Sequence, residues 1–345
     1  MTGETPQTDM AREIAEIPEA VARFLERARP RLREIGALMR ATEPPVIVTC
    51  ARGSSDHAAG FFKYCCEILA GIPVASMGPS VASIYDAPLK LDRAVLLAIS
   101  QSGMSPDIVA LTRAAGRGGA RTIAIVNNER SDLAGVADFC LPVSAGPEKS
   151  VAATKSFISS ALAALALLAE WRQDEALMAA IDRLPETLTR ALALDWSGPV
   201  AQLAEASSLY VLGRGPGYPI AQEAALKFKE TASLHAEAHS GAEVMHGPLS
   251  LVRERFPVLA LSPDDASRTA MRQAVDRLRQ AGAELVCVEN EASAAGSLAY
   301  APSGHSLTDP LSIATSFYRL VEAVAAARGI DPDNPLNLKK VTETV

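Results

Sequence analysis

The sequence is poor in the features that place a protein in a membrane, in an oxidising compartment or on nucleic acid. Its 345 residues include five cysteines, an odd number without CxxC spacing, which we interpret as reduced core thiols of a cytoplasmic protein. The longest apolar run, ALAALALLA at 161–169, is too short to cross a bilayer. A net charge of −7 gives no reason to expect a nucleic-acid or membrane partner. The opening MTGETPQTDMAREIAE lacks a basic region followed by an apolar one, so no signal peptide is expected.

An internal repeat organises what is present. Arg52-Gly53 and Arg214-Gly215 each follow an apolar strand and precede an amphipathic helix, at an offset of 162 residues. The same offset relates the ends of two further pairs of strands, Ser100 with Ser262 and Asn128 with Asn290. Three landmarks on one offset predict two copies of one domain.

The alternation of short apolar strands with helices predicts an α/β fold with parallel sheets covered on both faces. The predicted strands are 46–50, 74–78, 94–100, 121–127 and 139–143 in the first copy, and 208–213, 256–262, 284–288 and about 298–301 in the second. The predicted segments are a helical one at 1–34, a domain at 35–171, a helical linker at 172–197, a domain at 198–330 and a tail at 331–345. Such sheets bind ligands at the carboxyl ends of their strands.

The loop AISQSGMSPD (98–107) is the strongest candidate for a phosphate site. It places three hydroxyls and an amide, from Ser100, Gln101, Ser102 and Ser105, just before a helix. A helix N-terminus with free N–H groups attracts anions, and this set exceeds what capping alone requires. Ser54 and Ser55 follow the first strand in the same way. SVAATK (150–155) opens another helix with Thr154 available, and we expect the three loops to converge at one sheet edge.

The helix with EAALKFKE carries Glu223, Lys227 and Glu230 on one face. This pattern is compatible with a solvated row of ion pairs. Because the helix starts at a ligand-side loop, it is also compatible with a general base whose pKa is set by its neighbours. Upstream, GRGPGYP (213–219) lacks GxGxxG spacing, so we expect no dinucleotide cofactor.

Three of the five histidines lie in HAEAHSGAEVMHGP (235–248). On a helix, His235 and His239 could chelate a metal. Their HxExH spacing is not that of zinc proteases, however, and a third ligand is missing, so we expect no metal. His246 precedes Gly-Pro in a turn and is the better acid–base candidate. In the tail, NPLNLKKVTETV is either a frayed basic terminus or the carrier of a Schiff-base lysine.

Taken together, five motifs resemble the sugar isomerase (SIS) family over about residues 35–345. They are ISQSGMSPD, EKSVAATKSF, LGRGPGYPIAQEAALKFKETASLHAEA, HGPLSLV and DPDNPLNLKKVTETV. The sequence looks most like the isomerase half of glucosamine-6-phosphate synthase and its stand-alone relatives, which include glucosamine-6-phosphate deaminase. The resemblance implies two tandem flavodoxin-like α/β/α domains, no cofactor, and a homodimer with shared active sites.

The resemblance also implies roles for single residues. Ser100, Gln101, Ser102 and Ser105 match the phosphate loop, Ser54 and Ser55 match a pair that contacts the sugar phosphate, and Val151 and Thr154 fall in the V-A-S-T-K segment. Glu230 matches the glutamate that moves a proton between C1 and C2, with Lys227 beside it. His246 matches the ring-opening histidine, which in relatives reaches the neighbouring subunit. Lys340 matches the tail lysine that can form a Schiff base.

Three departures from the synthase shape the expected function. The glutaminase domain is missing, so we expect a glutamine-independent reaction. Ala153 replaces a serine, and Met104 stands in place of a glutamate, as in stand-alone deaminases. The expected reaction converts glucosamine 6-phosphate to fructose 6-phosphate and ammonia. Two alternatives stay open: isomerisation or deglycation of another phosphosugar (a galactosamine or fructosamine 6-phosphate), and a regulator that binds a sugar phosphate without catalysis.

Overall fold

The computed structural model describes residues 7–291 and 296–340. The chain forms two compact units, each built around one sheet. The first-sheet unit comprises Glu19–Gly146 and Ser156–Pro185. The second-sheet unit comprises the residues up to Pro18, Pro147–Lys155 and Glu186–Lys340. Each unit is therefore assembled from separate stretches of the chain, whereas the predicted domains are continuous.

Five parallel strands form the first sheet, in the order β2-β1-β3-β4-β5. They are β1 (Ile47–Cys50), β2 (Val74–Ser76), β3 (Val95–Ser100), β4 (Arg121–Val126) and β5 (Phe139–Pro142). The helices of this part of the chain are α2 (Ile17–Thr42), α3 (Ser54–Ala70), α4 (Ser80–Ser83), α5 (Pro106–Arg117), α6 (Asp132–Val136), α7 (Lys155–Arg172) and α8 (Glu175–Asp182). Every residue of β1 and β3 is buried, as expected for strands covered on both faces.

The second sheet has the same topology, in the order β7-β6-β8-β9-β10. Its strands are β6 (Ser208–Gly213), β7 (His235–Ser240), β8 (Pro257–Leu261), β9 (Glu284–Glu289) and β10 (Ser297–Ala299). The helices are α1 (Asp9–Ala15), α9 (Leu184–Ala193), α10 (Val200–Glu205), α11 (Gly217–Ala232), α12 (Arg268–Gln280) and α13 (Asp309–Ala327). Short 3₁₀ helices span Glu243–His246 and Pro248–Leu251. Both sheets thus have the 2-1-3-4-5 order of flavodoxin-like folds, which confirms the predicted fold class.

The repeat extends to backbone conformation. Gly53 and Gly215, which open α3 and the turn into α11, have φ angles of 55° and 54°. Arg93 and Arg255, also 162 positions apart, have φ angles of 61° and 63°. A left-handed conformation is uncommon for an arginine. Its recurrence at the same offset therefore supports two copies of one domain independently of residue identity.

Candidate active site

The loop between β3 and α5, residues 100–105, is called the hydroxyl loop below, and two of its own serines hydrogen-bond to its backbone. Ser100 Oγ accepts a hydrogen bond from Gly103 N–H at 3.1 Å, and Ser102 Oγ accepts one from Met104 N–H at 3.2 Å. Each hydroxyl used as an acceptor keeps its O–H donor for a ligand. Within residues 7–291 and 296–340, the side chains of Gln101 and Ser105 form no hydrogen bond. Ser105 stands at the N-cap position of α5. The loop is therefore rich in unused donors at a positive helix end.

The bend of the hydroxyl loop requires glycine at one position. Gly103 has a φ of 65°, and a Cβ built there would lie 2.1 Å from Ser131 Oγ. Ser131 caps α6 by accepting from the N–H of Ala134, so it has a structural task of its own. A side chain at Gly103 would therefore displace either the loop or the start of α6.

The loop after β1 lies at the same edge of the first sheet. β1 and β3 are hydrogen-bonded neighbours, with Cys50 opposite Ala98, and Ser54 and Ser55 open α3. An ion pair that sequence reasoning missed joins the two loops. The Nε of Arg52 and one of its terminal nitrogens donate to Asp107 Oδ2 at 3.1 and 2.8 Å. Asp107 is fully buried in the first turn of α5. The pair fixes the two half-buried serines relative to the hydroxyl loop.

The equivalent loop of the second sheet carries negative charge, whereas the hydroxyl loop of the first copy is neutral. At the 162-residue offset, the loop after β8 reads SPDDAS and places Asp264 and Asp265 at the positions of Ser102 and Gly103. Asp264 is partly neutralised by Arg268 at 2.7 Å. Carboxylates in this position repel an anion, so the loop of neutral hydroxyl and amide side chains is found in the first copy and not at the equivalent loop of the second.

A buried cluster of charges lies on α11, in the second-sheet unit. Lys227 is fully buried and forms ion pairs with Glu223, at 3.5 Å, and with Glu230. Tyr318 of α13, also buried, donates to Glu223 Oε1 at 3.2 Å. Of this cluster, only Glu230 reaches the surface, with 23% of its side chain exposed. The helical face predicted from the sequence is therefore a buried ion cluster and not a solvated row of ion pairs.

The electrostatics of the cluster keep Lys227 protonated. Burial by itself lowers the pKa of Lys227, but the charges of Glu223 and Glu230 and a hydrogen bond to Glu230 outweigh it, and the pKa is raised. The pKa of Tyr318 is raised well above its ordinary value, first by burial and then by the charge of Glu223. Tyr318 thus stays a hydrogen-bond donor, and Lys227 stays a cation beside the exposed carboxylate of Glu230.

The loop Pro147–Lys155 belongs to the second-sheet unit and brings a further buried glutamate. Glu148, whose side chain is fully buried, accepts from Lys340 Nζ at 3.1 Å and from Thr154 N–H at 3.1 Å. The hydroxyl of Thr154 is buried and forms no hydrogen bond within the described part of the chain. Val151 is half-buried in the same loop. Lys340 is therefore not a frayed side chain, because a buried carboxylate holds it.

Sequence reasoning missed Glu148 and Tyr318 for different reasons. Glu148 follows β5 at the carboxyl end of the first sheet, where an inspection of charged residues in loops would have found it. Tyr318 lies in the apolar helix α13, and nothing in the spacing distinguishes it from a core aromatic residue.

The segment that contains His235 and His239 is a strand, although the sequence also allowed a helix there. Residues His235–Ser240 form an edge strand, β7, and not the helix considered for a metal-chelating pair. On a strand, His235, Glu237 and His239 share one face. His235 Nδ1 lies 3.1 Å from Ser208 Oγ, and His239 packs edge-on against Tyr210 with ring centroids 4.7 Å apart. No group of three or more metal-ligating side chains occurs in residues 7–291 and 296–340.

His246 ends the 3₁₀ helix Glu243–His246 and is exposed. In the described ranges, no hydrogen bond or ion pair connects it to Lys227, Glu230 or Lys340. The charge of Glu148 helps to raise the pKa of Lys227, so the second-sheet unit places the Glu148–Lys340 pair near the ion cluster of α11. His246 lies outside this network.

None of the described helices is long and apolar enough to cross a membrane. The cysteines at positions 50, 65, 66, 140 and 287 are free thiols, and burial raises the pKa of each of them.

Comparison with known proteins supports the assignment suggested by the motifs. The family model of the SIS domain matches residues 42–170 and 202–300. Glutamine–fructose-6-phosphate aminotransferase (isomerizing) of Symbiobacterium thermophilum is 35% identical over 331 residues, which cover 90% of this chain and 53% of that protein. The chain thus spans about half the length of this curated relative.

Solved structures give the same result. A protein of Silicibacter pomeroyi, to which a phosphosugar isomerase function is ascribed, superposes with a TM-score of 0.90 at 50% identity, covering 95% of this chain and all of that one. The C-terminal domain of glucosamine-fructose-6-phosphate aminotransferase from Francisella tularensis superposes with a TM-score of 0.81 at 25% identity, over 97% of this chain. The family resemblance is confirmed: the chain belongs to the SIS domain family.

Proposed function

We propose that this protein is a phosphosugar isomerase that acts on an amino-sugar phosphate and releases ammonia. In the proposed reaction, glucosamine 6-phosphate and water give fructose 6-phosphate and ammonia. The open-chain aldose loses the C2 proton and regains a proton at C1, which leaves an imine at C2. Water then hydrolyses the imine to the ketone, and ammonia leaves. The atoms balance without any further reactant.

The partly exposed carboxylate of Glu230 beside the buried cation Lys227 is the observation that carries this proposal. A base that shuttles a proton between adjacent carbons must reach the substrate and must be held in one position. Glu230 is the only exposed member of its ion cluster, and Lys227 fixes it from the buried side. A positioned base of this kind contributes roughly 10²–10⁴ in rate.

The remaining candidate residues have complementary proposed roles. The hydroxyl loop, with Ser54 and Ser55, binds the phosphate through neutral donors and the N-terminus of α5. Val151 and Thr154 contact the sugar, and the free hydroxyl of Thr154 suits that role. Lys340, beside Glu148, positions the ketose or holds it covalently. His246 opens the sugar ring, and since it lies outside the charged network, we propose that it serves the site of a second subunit in a homodimer.

A panel of hexosamine 6-phosphates, assayed for ammonia and ketose together, tests the proposal. Glucosamine, galactosamine and fructosamine 6-phosphates should be compared with fructose 6-phosphate alone, with and without glutamine. We expect equal amounts of ammonia and fructose 6-phosphate from glucosamine 6-phosphate, whether or not glutamine is present. Ketose–aldose interconversion without ammonia would indicate plain isomerisation. Binding without any turnover would indicate a sugar-phosphate-dependent regulator and would overturn the proposal.

A further inference from the structure

Helix α1 contacts both parts of the chain that bring Glu148 and Lys340 together. The carboxylate of Glu13 accepts the backbone N–H of Lys149 with one oxygen and that of Ser150, at 3.3 Å, with the other. At the start of the same helix, the N–H groups of residues 9 and 10 donate to Asp333 of the tail at 2.5 and 2.9 Å. The helix therefore connects the loop and the tail, although the proposed function gives it no role.

We propose that Glu13 is a positioning residue that orients Glu148 toward Lys340, an inference that rests on the proposed role of Lys340. Glu13 fixes the two peptide groups that directly follow Glu148, and thereby the direction in which the Glu148 side chain leaves the backbone. Glu148 then holds the ammonium group of Lys340 at 3.1 Å. In the described part of the chain, no hydrogen bond or ion pair joins Glu13 to Lys340 or to the candidate base. Glu13 therefore acts on Lys340 through the loop and, at longer range, through its negative charge.

The burial of Glu13 supports a functional role, because a carboxylate is a costly choice for this position. Glu13 is 5% exposed. Its pKa is raised to about 6, chiefly by burial; the hydrogen bond from Lys149 opposes this rise, and the negative charge of Glu148 adds to it. A neutral glutamine of the same shape would avoid this cost. Only a carboxylate, however, presents two acceptor oxygens to two N–H groups.

The other charged groups around Glu13 are Lys155 and Lys340, both of which lower its pKa. Lys155 forms an ion pair with Glu16, on the next turn of the chain. On α13, which packs against α1, Glu322 accepts from Thr8 and Arg319 donates to the carbonyl of Leu192. Neither side chain is hydrogen-bonded to Glu13. Protonation of Glu13 below about pH 6 turns one of its oxygens into a donor. Below that pH, the hydrogen bonds from the N–H groups of Lys149 and Ser150 to Glu13 should therefore weaken.

The labelling rate of Lys340 tests this inference without requiring turnover. Reductive methylation, quantified by mass spectrometry and divided by the rate at the exposed Lys90, reports how tightly Glu148 holds the Lys340 amine. We expect the ratio to rise several-fold in Glu13→Gln, and to rise in the wild type as the pH falls through about 6. In Glu13→Gln the ratio should not change with pH. Glu19→Gln, the same change at an exposed glutamate, should behave like the wild type.

Catalysis and folding give two further readouts. With glucosamine 6-phosphate, Glu13→Gln should lower kcat about tenfold, as for the loss of one charge-assisted hydrogen bond, and should leave KM unchanged. Its unfolding temperature at pH 8 should equal or exceed that of the wild type, because the buried charge is gone.

Equal Lys340 labelling ratios in Glu13→Gln and the wild type would overturn the inference, as would a wild-type ratio that does not change between pH 8 and pH 5. The wild-type series needs no variant to fold. If the ratios change as expected but no hexosamine phosphate is turned over, the proposed function fails and the positioning role of Glu13 stands.

Discussion

At the scale of single residues, the second-sheet unit buries its charges in groups of opposite sign. Lys227 has two carboxylates around it, and Glu223 has both Lys227 and the Tyr318 hydroxyl. Breaking a buried ion pair by removing one partner is far more costly than replacing the whole pair, because the remaining charge has no counter-ion. The cluster thus makes Glu230 dependent on Lys227 for its position and makes the fold dependent on Lys227 as well.

Replacing Lys227 with methionine should therefore lower the free energy of unfolding by about 3–5 kcal/mol, since two carboxylates would lose their shared cation. Lys63→Met removes an ion pair with Glu67 whose lysine side chain is 41% exposed, and should cost less than about 1 kcal/mol. Urea unfolding at pH 7.5 compares the two variants. Equal losses would contradict the buried ion cluster.

The hydroxyl loop yields a second test at this scale. Gly103→Ala should weaken the binding of inorganic phosphate and lower stability by about 1–3 kcal/mol, because of the positive φ and the contact with Ser131. Gly135→Ala is the control, since a Cβ there meets nothing within 4 Å and alanine favours the helix α6. Titration calorimetry with phosphate measures the affinity. Unchanged phosphate binding by Gly103→Ala would argue against the loop as the phosphate site.

At the scale of elements, the sequence predicts the central strands because they are almost entirely buried. β1, β3 and β8 are runs of apolar residues, and each is present in the structure. β7 is missed because it is a polar strand at the sheet edge. HAEAHS alternates with a period of two, but only alanine marks its inward face, and the histidines and glutamate suggest a helix as readily.

In the candidate site too, only some of the contacts could be predicted from the sequence. Residues on one helix or in one loop, such as Lys227 and Glu230, or Ser100 and Ser102, could be grouped from spacing alone. Glu13 and Glu148 are 135 residues apart in the sequence (148 − 13) and meet only through backbone N–H groups, which carry no side-chain signature. No pattern in a single sequence could have joined them.

The carboxylate of Asp333, in the tail, accepts hydrogen bonds from the start of helix α1. Asp333→Ala removes the carboxylate that accepts from the first N–H groups of α1, and should cost about 1 kcal/mol of stability. Asp174→Ala removes the corresponding cap of α8, where Asp174 accepts from the N–H of Leu177, and should cost a similar amount. Only Asp333→Ala should also raise the Lys340 labelling ratio. If both variants leave that ratio unchanged, α1 does not hold the tail.

At the scale of the whole molecule, the buried carboxyl of Glu13 links stability to pH. Its pKa rises from 4.5 in the unfolded chain to about 6 in the fold because burial disfavours the charge. The folded state therefore binds a proton at a higher pH than the unfolded state. This contribution to stability is fully present below the unfolded pKa and is lost as the pH rises through about 6.

Between pH 7.5 and pH 5, the wild type should gain about 1 kcal/mol of unfolding free energy relative to Glu13→Gln. The difference between the two proteins cancels all other titrating groups that the substitution leaves unchanged. Urea unfolding of both proteins across this range measures it. A constant difference, or one of opposite sign, would show that Glu13 is not a buried carboxyl of raised pKa.

In the proposed reaction, Glu230 moves the proton between C1 and C2 of an amino-sugar phosphate. Turnover of glucosamine 6-phosphate by Glu230→Gln, followed as ammonia and fructose 6-phosphate and compared with Glu237→Gln, tests it most directly. We expect Glu230→Gln to lose roughly 10²–10⁴ in kcat while it still binds the substrate, and Glu237→Gln to keep wild-type activity. Wild-type kcat in Glu230→Gln, or an equal loss of kcat in both variants, would contradict the role of Glu230 as the base.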